Sequence, residues 1–174
     1  MIVDGEAEDL HGRDDVVAVL YYRHRDDLVR LAVGLTGDAE LAEEIVQEAF
    51  AQLLARWPLL RDWHAAPAYL RQIVVNGARA NWRRRRRREL VAHLLRGQAH
   101  TEGPDLAQQS TLLAALGQLP IGKRSCLLLR YYADLSEAET AQVLGVSTGT
   151  VKSQTAKGLR QLQRLLEPTH TEVR

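Results

Sequence analysis

The segment from residue 135 to residue 162, LSEAETAQVLGVSTGTVKSQTAKGLRQL, constrains the fold of this chain most strongly. Ser136 and Glu139 have the spacing of a capping box, which predicts that a helix begins here. Gly145 can adopt the positive φ with which helices commonly end, and Ser147 is a preferred N-cap for a second helix. The segment therefore predicts two short helices joined by a tight glycine turn, the helix-turn-helix pattern of DNA-binding proteins.

The two predicted helices have an inner and an outer face. The residues expected to pack inward are Ala138, Ala141 and Leu144 from the first helix and Val151, Leu159 and Leu162 from the second. Small polar and cationic residues remain on the outer face of the second helix, namely Thr150, Lys152, Ser153, Gln154 and Lys157. This composition favours contact with DNA, and an ordinary helical hairpin is the alternative.

An amphipathic pattern of helical spacing occupies residues 38–57, where Asp38 is the predicted N-cap and Pro58 ends the helix. The face opposite its apolar stripe carries Glu40, Glu43, Glu44, Gln47, Glu48 and Gln52. A solvated helix face usually mixes charges of both signs, because oppositely charged residues four apart attract each other. The unmixed acidic face therefore indicates a basic partner, and a merely soluble face is the alternative.

A basic segment follows the acidic one, although the net charge of the whole chain is only +1. Residues 1–57 contain five arginines and thirteen acidic residues, whereas residues 58–100 contain ten arginines and two acidic residues. A helix predicted from residue 67 runs into six consecutive arginines, residues 83–88. Such a block repels itself and is stabilised by phosphates, which indicates nucleic-acid binding. A solvated tail or a localisation signal is the alternative.

The order of these patterns predicts an all-α fold with two small helical domains joined by a flexible linker. We expect an acidic mobile tail at residues 1–14 and a first domain at 15–95. The stretch 96–110 contains glycine, proline and polar residues, which is typical of a linker. The second domain is expected at 111–167, followed by a tail at 168–174.

The sequence offers no catalytic, cofactor or metal site. No glycine-rich phosphate loop follows a strand, the six histidines are scattered, and Cys126 has no partner at metal-ligand spacing. We therefore expect no enzymatic activity and no cofactor, with Cys126 as a small buried residue in a reducing compartment. Neither a signal segment nor an apolar stretch of membrane-spanning length is found, so we expect a soluble, cytoplasmic protein without membrane insertion.

Four blocks of the sequence together resemble a known family. They are DAELAEEIVQEAFAQLLARW, AYLRQIVVNGARANWRRR, LGQLPIGKRSCLLLRYYADLSEAETAQVLGVS and GTVKSQTAKGLRQL. In this order and spacing they resemble the extracytoplasmic-function (group 4) RNA polymerase sigma factors, and most closely the SigE-like actinobacterial subfamily. The resemblance extends from about residue 16 to about residue 166.

The resemblance implies a promoter-specificity subunit, with sigma domain 2 at residues 15–95 and sigma domain 4 at residues 111–167. The implied partners are RNA polymerase core (β′ clamp helices and β subunit) and promoter DNA, and an anti-sigma protein is a further candidate. The positions matching the family's polymerase contacts are Glu44, Gln47 and Glu48. Those matching its −10 contacts are Leu60, Trp63, Asn76, Arg79, Arg83 and Arg84. The −35 contacts would be Thr150, Lys152, Ser153, Gln154 and Lys157.

Several positions depart from the family pattern. The aromatic residue of the −10 loop is Trp63 rather than a residue near Leu60, and Ala80 replaces a frequent aspartate. Gln154 and Lys157 stand where many members have arginine, and Gly158 stands where they have alanine. Because arginine pairs with guanine and glutamine with adenine, the −35 sequence does not carry over. A LuxR-type regulator, whose helix-turn-helix is similar, is the alternative function.

Overall fold

The computed structural model describes residues 13–59, 62–96 and 111–167, and within these ranges it contains helices and turns but no strand. The α-helices are α1 (Arg13–Thr36), α2 (Ala39–Arg56), α3 (Ala66–Arg96), α4 (Thr111–Gly117), α5 (Ile121–Leu127), α6 (Glu137–Leu144) and α7 (Thr148–Leu166). Two 3-10 turns, Trp57–Leu59 and Trp63–Ala65, connect α2 to α3. The predicted all-α fold is confirmed.

The predicted tails and most of the linker fall on residues 1–12, 97–110 and 168–174, which lie outside the described residues. Leu60 lies outside them as well. Helix α1 begins at Arg13 and so includes the last two residues of the predicted N-terminal tail. The domain boundaries themselves stay predictions.

Helices α1, α2 and α3 pack around a core that includes Leu28, Val46, Phe50 and Leu70. Full burial of side chains of this size contributes roughly 2 kcal/mol each. The predicted N-cap of α2 is confirmed, because the Asp38 carboxylate accepts a hydrogen bond from the Leu41 amide at 3.1 Å. This core therefore holds the acidic helix and the basic helix side by side.

The predicted caps of the helix-turn-helix are confirmed. The Ser136 hydroxyl accepts from the Glu139 amide at 3.2 Å, and the Glu139 carboxylate accepts from the Ser136 amide at 2.8 Å. Gly145 ends α6 with a φ of 65°, and the Ser147 hydroxyl accepts from the Thr150 amide at 3.1 Å. These local features fix both ends of α6 and the beginning of α7.

The inner face of α6 differs from the prediction in one position. Ala138 is exposed, whereas Thr140 is buried beside Ala141 and Leu144. Each residue turns the helix by about 100°, so three apolar residues in a short helix do not determine which side of that helix faces the core. The threonine was overlooked because its side chain is polar, although its methyl group can pack in a core.

The two predicted domains share a hydrophobic core. Leu35 and Val75 of the first half belong to the same buried cluster as Leu119 and Leu129 of the second half. We call this contact between the halves the seam. A linker restricts how far two domains can separate but not how they pack, so its composition could not predict the seam.

Two residues allow the two halves to pack tightly at the seam. A Cβ atom on Gly34 of α1 would lie 3.0 Å from the Leu128 methyl carbons, so the missing side chain leaves room for that leucine. Arg124, which is only 5% exposed, donates from its guanidinium to the carbonyl of Leu35 at 2.7 Å and to that of Leu119 at 3.1 Å. It also donates to the Gly117 carbonyl. One side chain thus joins backbone from both halves.

A π-helical turn, Leu128–Tyr132, follows α5 directly. The wider turn ends when the Ala133 amide donates to the Leu128 carbonyl at 2.9 Å. It places Tyr132 next to α1, where the Tyr132 hydroxyl accepts a hydrogen bond from Arg30 Nε at 3.0 Å. Periodicity identifies helical segments but does not reveal such a bulge.

Candidate nucleic-acid interface

An open groove of about 730 Å³ lies between α2 and α3. Glu44 and Glu48 line its α2 wall, Asn76 and Arg84 line its α3 wall, and Ile45 forms part of its floor. The structure therefore brings two of the predicted polymerase-binding residues and two of the predicted −10 residues to the same groove. The two glutamates are negatively charged, whereas on the opposite wall Arg84 is positively charged and Asn76 is neutral.

Gly77 sets how closely the two walls approach. A Cβ atom on this glycine would lie 3.1 Å from Ile45 Cγ2, which is tighter than ordinary van der Waals contact. Ala80, which also lines the groove, adds only a methyl group. The sequence analysis did not single out Gly77, although a glycine inside a helix is itself a signal of close packing.

The acidic face of α2 is narrower than its pattern indicated. Arg25 of α1 donates to both carboxylate oxygens of Glu43, at 2.6 and 2.7 Å, so this glutamate is already paired. Gln52 donates to the Glu48 carboxylate at 2.8 Å, which leaves the charge of Glu48 uncompensated. The polymerase-binding residues named from the sequence, Glu44, Gln47 and Glu48, are all exposed.

The six consecutive arginines of α3, residues 83–88, are all exposed, and they differ in their partners. Arg85 lies 3.2 Å and Arg86 3.8 Å from the carboxylate of Glu89. Arg83 and Arg84 form no ion pair with any residue that the structure describes. Exposed ion pairs of this kind are weak, so the whole segment presents positive charge to solvent.

Arg79 is separated from the other predicted −10 residues. Its Nη1 donates to the carbonyl of Leu144 at 3.0 Å, across the seam. Leu144 is the last residue of α6, so the cation also lies at the negative end of a helix dipole. The local sequence around Arg79 contains no sign of this partner, which lies 65 residues away.

Trp63 lies at the opposite end of α3 from the arginine run. It is half-buried in the 3-10 turn before the helix, where its ring contacts that of His64 with the centroids 3.7 Å apart. Asp62 accepts from the His64 amide at 2.9 Å and so fixes this turn. From the start of α3 to Asn76 the helix rises by roughly 15 Å. The predicted −10 surface is therefore elongated.

Helix α7 presents its predicted face to solvent. Thr150, Lys152, Ser153 and Lys157 are exposed, and Gln154 is half-buried. The Thr150 hydroxyl lies 2.9 Å from that of Ser147, so it also takes part in the N-terminal cap. The first turn of α7 is therefore ordered before any ligand is present.

The buried face of α7 contacts α5. Val151 is fully buried, and Gly158 faces Leu127, which a Cβ atom at position 158 would approach to 3.2 Å. The glycine that departs from the family pattern thus has a packing role.

The described residues contain no group of three or more histidine, cysteine or acidic side chains that could hold a metal ion. Cys126 is buried and free, as predicted, and burial raises the pKa of its thiol. Among the described helices, none is long and apolar enough to cross a membrane.

Comparison with known families assigns both halves of the chain. Residues 20–88 match the model for Sigma-70 region 2, and residues 109–162 match the model for Sigma-70, region 4. Neither is the model of a LuxR-type regulator, so the comparisons give that alternative no support.

Relatives of known identity agree with the family models. The RNA polymerase sigma-E factor of Streptomyces antibioticus is 34% identical over 153 residues, which are 86% of this chain and 84% of that protein. The sigma-E factor of Streptomyces coelicolor is 33% identical over 88% of both chains. The ECF sigma factor SigM of Mycobacterium tuberculosis is 31% identical over 88% of this chain and 79% of its own length.

Two solved structures share the fold. The sigma factor RpoE, solved in complex with the anti-sigma factor NepR from Bartonella quintana, aligns with a TM-score of 0.65 and 20% identity. The alignment covers 96% of this chain and 99% of RpoE. CnrH, solved with the cytosolic domain of CnrY, aligns over 90% of both chains with a TM-score of 0.63 and 22% identity. The chain thus belongs to the sigma-70 family of RNA polymerase sigma factors, in its extracytoplasmic-function (ECF) branch.

Proposed function

We propose that this alternative sigma factor binds core RNA polymerase through the exposed acidic face of α2 and places α3 and α7 on the −10 and −35 promoter elements. The observation that supports this most is the groove between α2 and α3, where exposed Glu44 and Glu48 on α2 face Asn76 and Arg84 on α3. Arg84 belongs to the run of six exposed arginines at residues 83–88. An acidic and a basic surface side by side suit two partners of opposite charge, one a basic protein and the other DNA.

The polymerase contact consists of Glu44, Gln47 and Glu48 against the β′ clamp helices. Because Arg25 already neutralises Glu43, the charge available to a partner is concentrated on these neighbouring residues. Complementary charges of this kind mainly accelerate association and exclude wrong partners. A second contact, with the β subunit, would hold the half that carries α7.

The −10 contact begins at Trp63 and Leu60, which capture an unstacked base. Extruding a base costs a few kcal/mol, and stacking on an aromatic ring offsets about 1–3 kcal/mol of that. Asn76 then contacts the opened strand, and Arg83 and Arg84 bind phosphates. Arg79 donates to the Leu144 carbonyl from Nη1, so we propose that a phosphate contact of this guanidinium competes with the bond across the seam and that the seam opens on promoter DNA.

The −35 contact is formed by the exposed face of α7. Lys152 and Lys157 would contact phosphates, and Thr150, Ser153 and Gln154 would face base edges in the major groove. Gln154 favours adenine where an arginine would favour guanine. Each element alone binds weakly, and the link between the two halves raises their combined affinity.

A binding and run-off transcription experiment with core polymerase tests the proposal. We expect the double variant Glu44→Arg with Glu48→Arg to bind core at least tenfold more weakly. The matched control is Asp15→Arg with Glu167→Arg, which makes the same charge change at exposed positions outside the groove and outside the acidic face of α2. Equal loss in both variants would show that only net charge matters and would refute the proposed face.

The same experiment tests initiation itself. The unmodified chain should direct core polymerase to a set of templates that share a two-part promoter. A chain that binds core but yields no promoter-dependent transcript would act as a decoy instead.

We also propose an anti-sigma protein as a partner. The solved sigma factor RpoE, similar in fold to this chain, was crystallised with the anti-sigma factor NepR, which supports this idea. Such a partner should compete with core polymerase for the chain. In the competition assay, the Glu44→Arg, Glu48→Arg variant is the control, because we expect it to bind core at least tenfold more weakly. A candidate that binds without displacing core would not be an anti-sigma protein.

A further inference from the structure

A cavity of about 370 Å³ lies at the seam, away from the groove and from the outer face of α7. Its polar lining consists of His24, Asp27 and Arg30 from α1, Arg71 from α3, and Tyr132 from the π-helical turn. Cavities of this size hold small molecules. Because both halves of the chain form its walls, a ligand here would contact both.

The charges around the cavity do not cancel. The Asp27 carboxylate accepts from Arg30 Nη2 at 2.7 Å, and Arg30 Nε donates to the Tyr132 hydroxyl at 3.0 Å, so these three groups satisfy one another. Arg71 forms no hydrogen bond or ion pair with any residue that the structure describes, and its Nε is buried. Among the described residues, Arg71 therefore has no hydrogen-bonded or ion-paired counter-ion, and the carboxylate that interacts with its charge at longer range, Glu139, does not line the cavity.

The pKa of His24 is affected by the same positive charges. Burial lowers the pKa of His24, the charges of Arg23 and Arg71 lower it further, and Asp27 raises it. Arg30 and Tyr132 also line the cavity around the imidazole. An anion placed between His24 and Arg71 would reverse the direction of this effect, because it would favour the imidazolium form.

We propose that this cavity binds a small oxyanion of the phosphate class, with Arg71 as the principal donor and His24 as a second donor once it is protonated. Guanidinium groups bind phosphate oxygens with two parallel hydrogen bonds, which suits a planar donor without another partner. Among the described residues that line the cavity, Asp27 is the one carboxylate, and it is already paired with Arg30, so it does not occupy the position of the anion.

The expected consequence is stabilisation of the packed arrangement of the two halves. An anion held between α1, α3 and the π-helical turn adds contacts that exist only while the seam is closed. It would therefore oppose promoter binding, a consequence that rests on the proposed function. The binding site itself does not depend on that function.

Binding of inorganic phosphate to the full chain tests the proposal, followed by NMR of the histidine side chains at constant ionic strength. We expect saturation with a dissociation constant on the order of 1 mM or lower, and a rise in the pKa of His24. Chloride at equal ionic strength should do neither. Sulfate, an oxyanion of similar shape, should compete with phosphate.

The decisive variant is Arg71→Gln, for which we expect at least tenfold weaker phosphate binding. Arg23→Gln is its matched control, because the charge of Arg23 also lowers the pKa of His24 but its side chain is exposed and does not line the cavity. Equal binding in Arg71→Gln and the unmodified chain, or equal loss in both variants, would overturn the site. If Arg71→Gln does not fold by circular dichroism, Arg71→Lys, which keeps the charge and loses the paired donors, should still bind at least threefold more weakly.

These outcomes are separable from those of the transcription experiment, since phosphate binding requires neither polymerase nor DNA. If the chain binds phosphate but does not initiate transcription, the phosphate site is supported and the proposed function is refuted. If the chain initiates transcription but shows no saturable phosphate binding, only the proposed phosphate site is refuted.

Discussion

Helices α3 and α7 both carry predicted DNA contacts, but their exposed faces are determined in different ways. The caps at Ser136 and Ser147 lie within a few residues of the elements they fix, and four of the five predicted contacts of α7 are exposed, while Gln154 is half-buried. On α3, Asn76 faces the groove while Arg79 is bonded across the seam. The comparison teaches that a recognition helix built by local bonds can be predicted from sequence, whereas a helix shared between two halves cannot.

The largest effect should come from removing the side chain that joins both halves. We expect Arg124→Met to lower the free energy of unfolding by about 3 kcal/mol, because three backbone carbonyls lose their donor in a buried place. Burial also lowers the pKa of Arg124, and among the described residues no carboxylate pairs with it. Urea unfolding of this variant beside the exposed Arg160→Met measures the difference. Equal stability of the two variants would mean that the seam contributes little.

A smaller effect should follow from filling the space beside Leu128. Gly34→Val should cost about 1–2 kcal/mol through overpacking and shift the chain toward open forms. The radius of gyration from small-angle scattering should increase. Gly122→Val, where no atom lies within 4 Å of the added Cβ, is the control. An unchanged radius in both variants would show that Leu128 moves aside without opening the seam.

The caps of the helix-turn-helix should contribute about 1 kcal/mol each. Ser147→Ala removes the acceptor for the Thr150 amide and should weaken α7 locally, leaving the seam unaffected. Hydrogen exchange should increase in the first turn of α7 and remain unchanged in α1. If exchange increased equally in both, local bonds would not be what orders α7.

The smallest effect should be a difference in pH dependence between the two regions. The pKa of His24 is lowered from 6.5 by burial, so below pH 6.5 the unfolded chain binds a proton that the folded chain resists, and stability falls. The pKa of Glu139 is lowered from 4.5 by its hydrogen bonds with Ser136, so its contribution is present above pH 4.5 and is lost as pH falls through the lower folded value. Unfolding of His24→Gln and Glu139→Gln against pH should remove the first and the second dependence respectively. If either single variant removed both pH dependences, the stabilities of the two regions would be coupled.

Much of this fold followed from particular residues. Helix ends could be predicted at four residues, because capping chemistry acts within one turn of the chain. These residues are Asp38, Ser136, Gly145 and Ser147. Ala138 was placed on the wrong face because three residues do not define the face of an eight-residue helix.

The candidate site was predicted less completely, because its geometry depends on distant partners. Arg25 neutralises Glu43 from another helix, and the Leu144 carbonyl holds Arg79 from the other half. A pattern of charges along one helix reveals which side chains can face outward. It does not reveal which of them have already found a partner within the protein.

The missing side chain at Gly158 also affects how accurately α7 can be aimed. The glycine is the pivot at which α7 rests on Leu127, and Thr150 lies eight residues before it, roughly 12 Å along the helix. A tilt of about 10° at this pivot would displace Thr150 by about 2 Å, which exceeds the tolerance of a hydrogen bond to a base edge. A single methyl group far from DNA could therefore change which promoter this sigma factor selects.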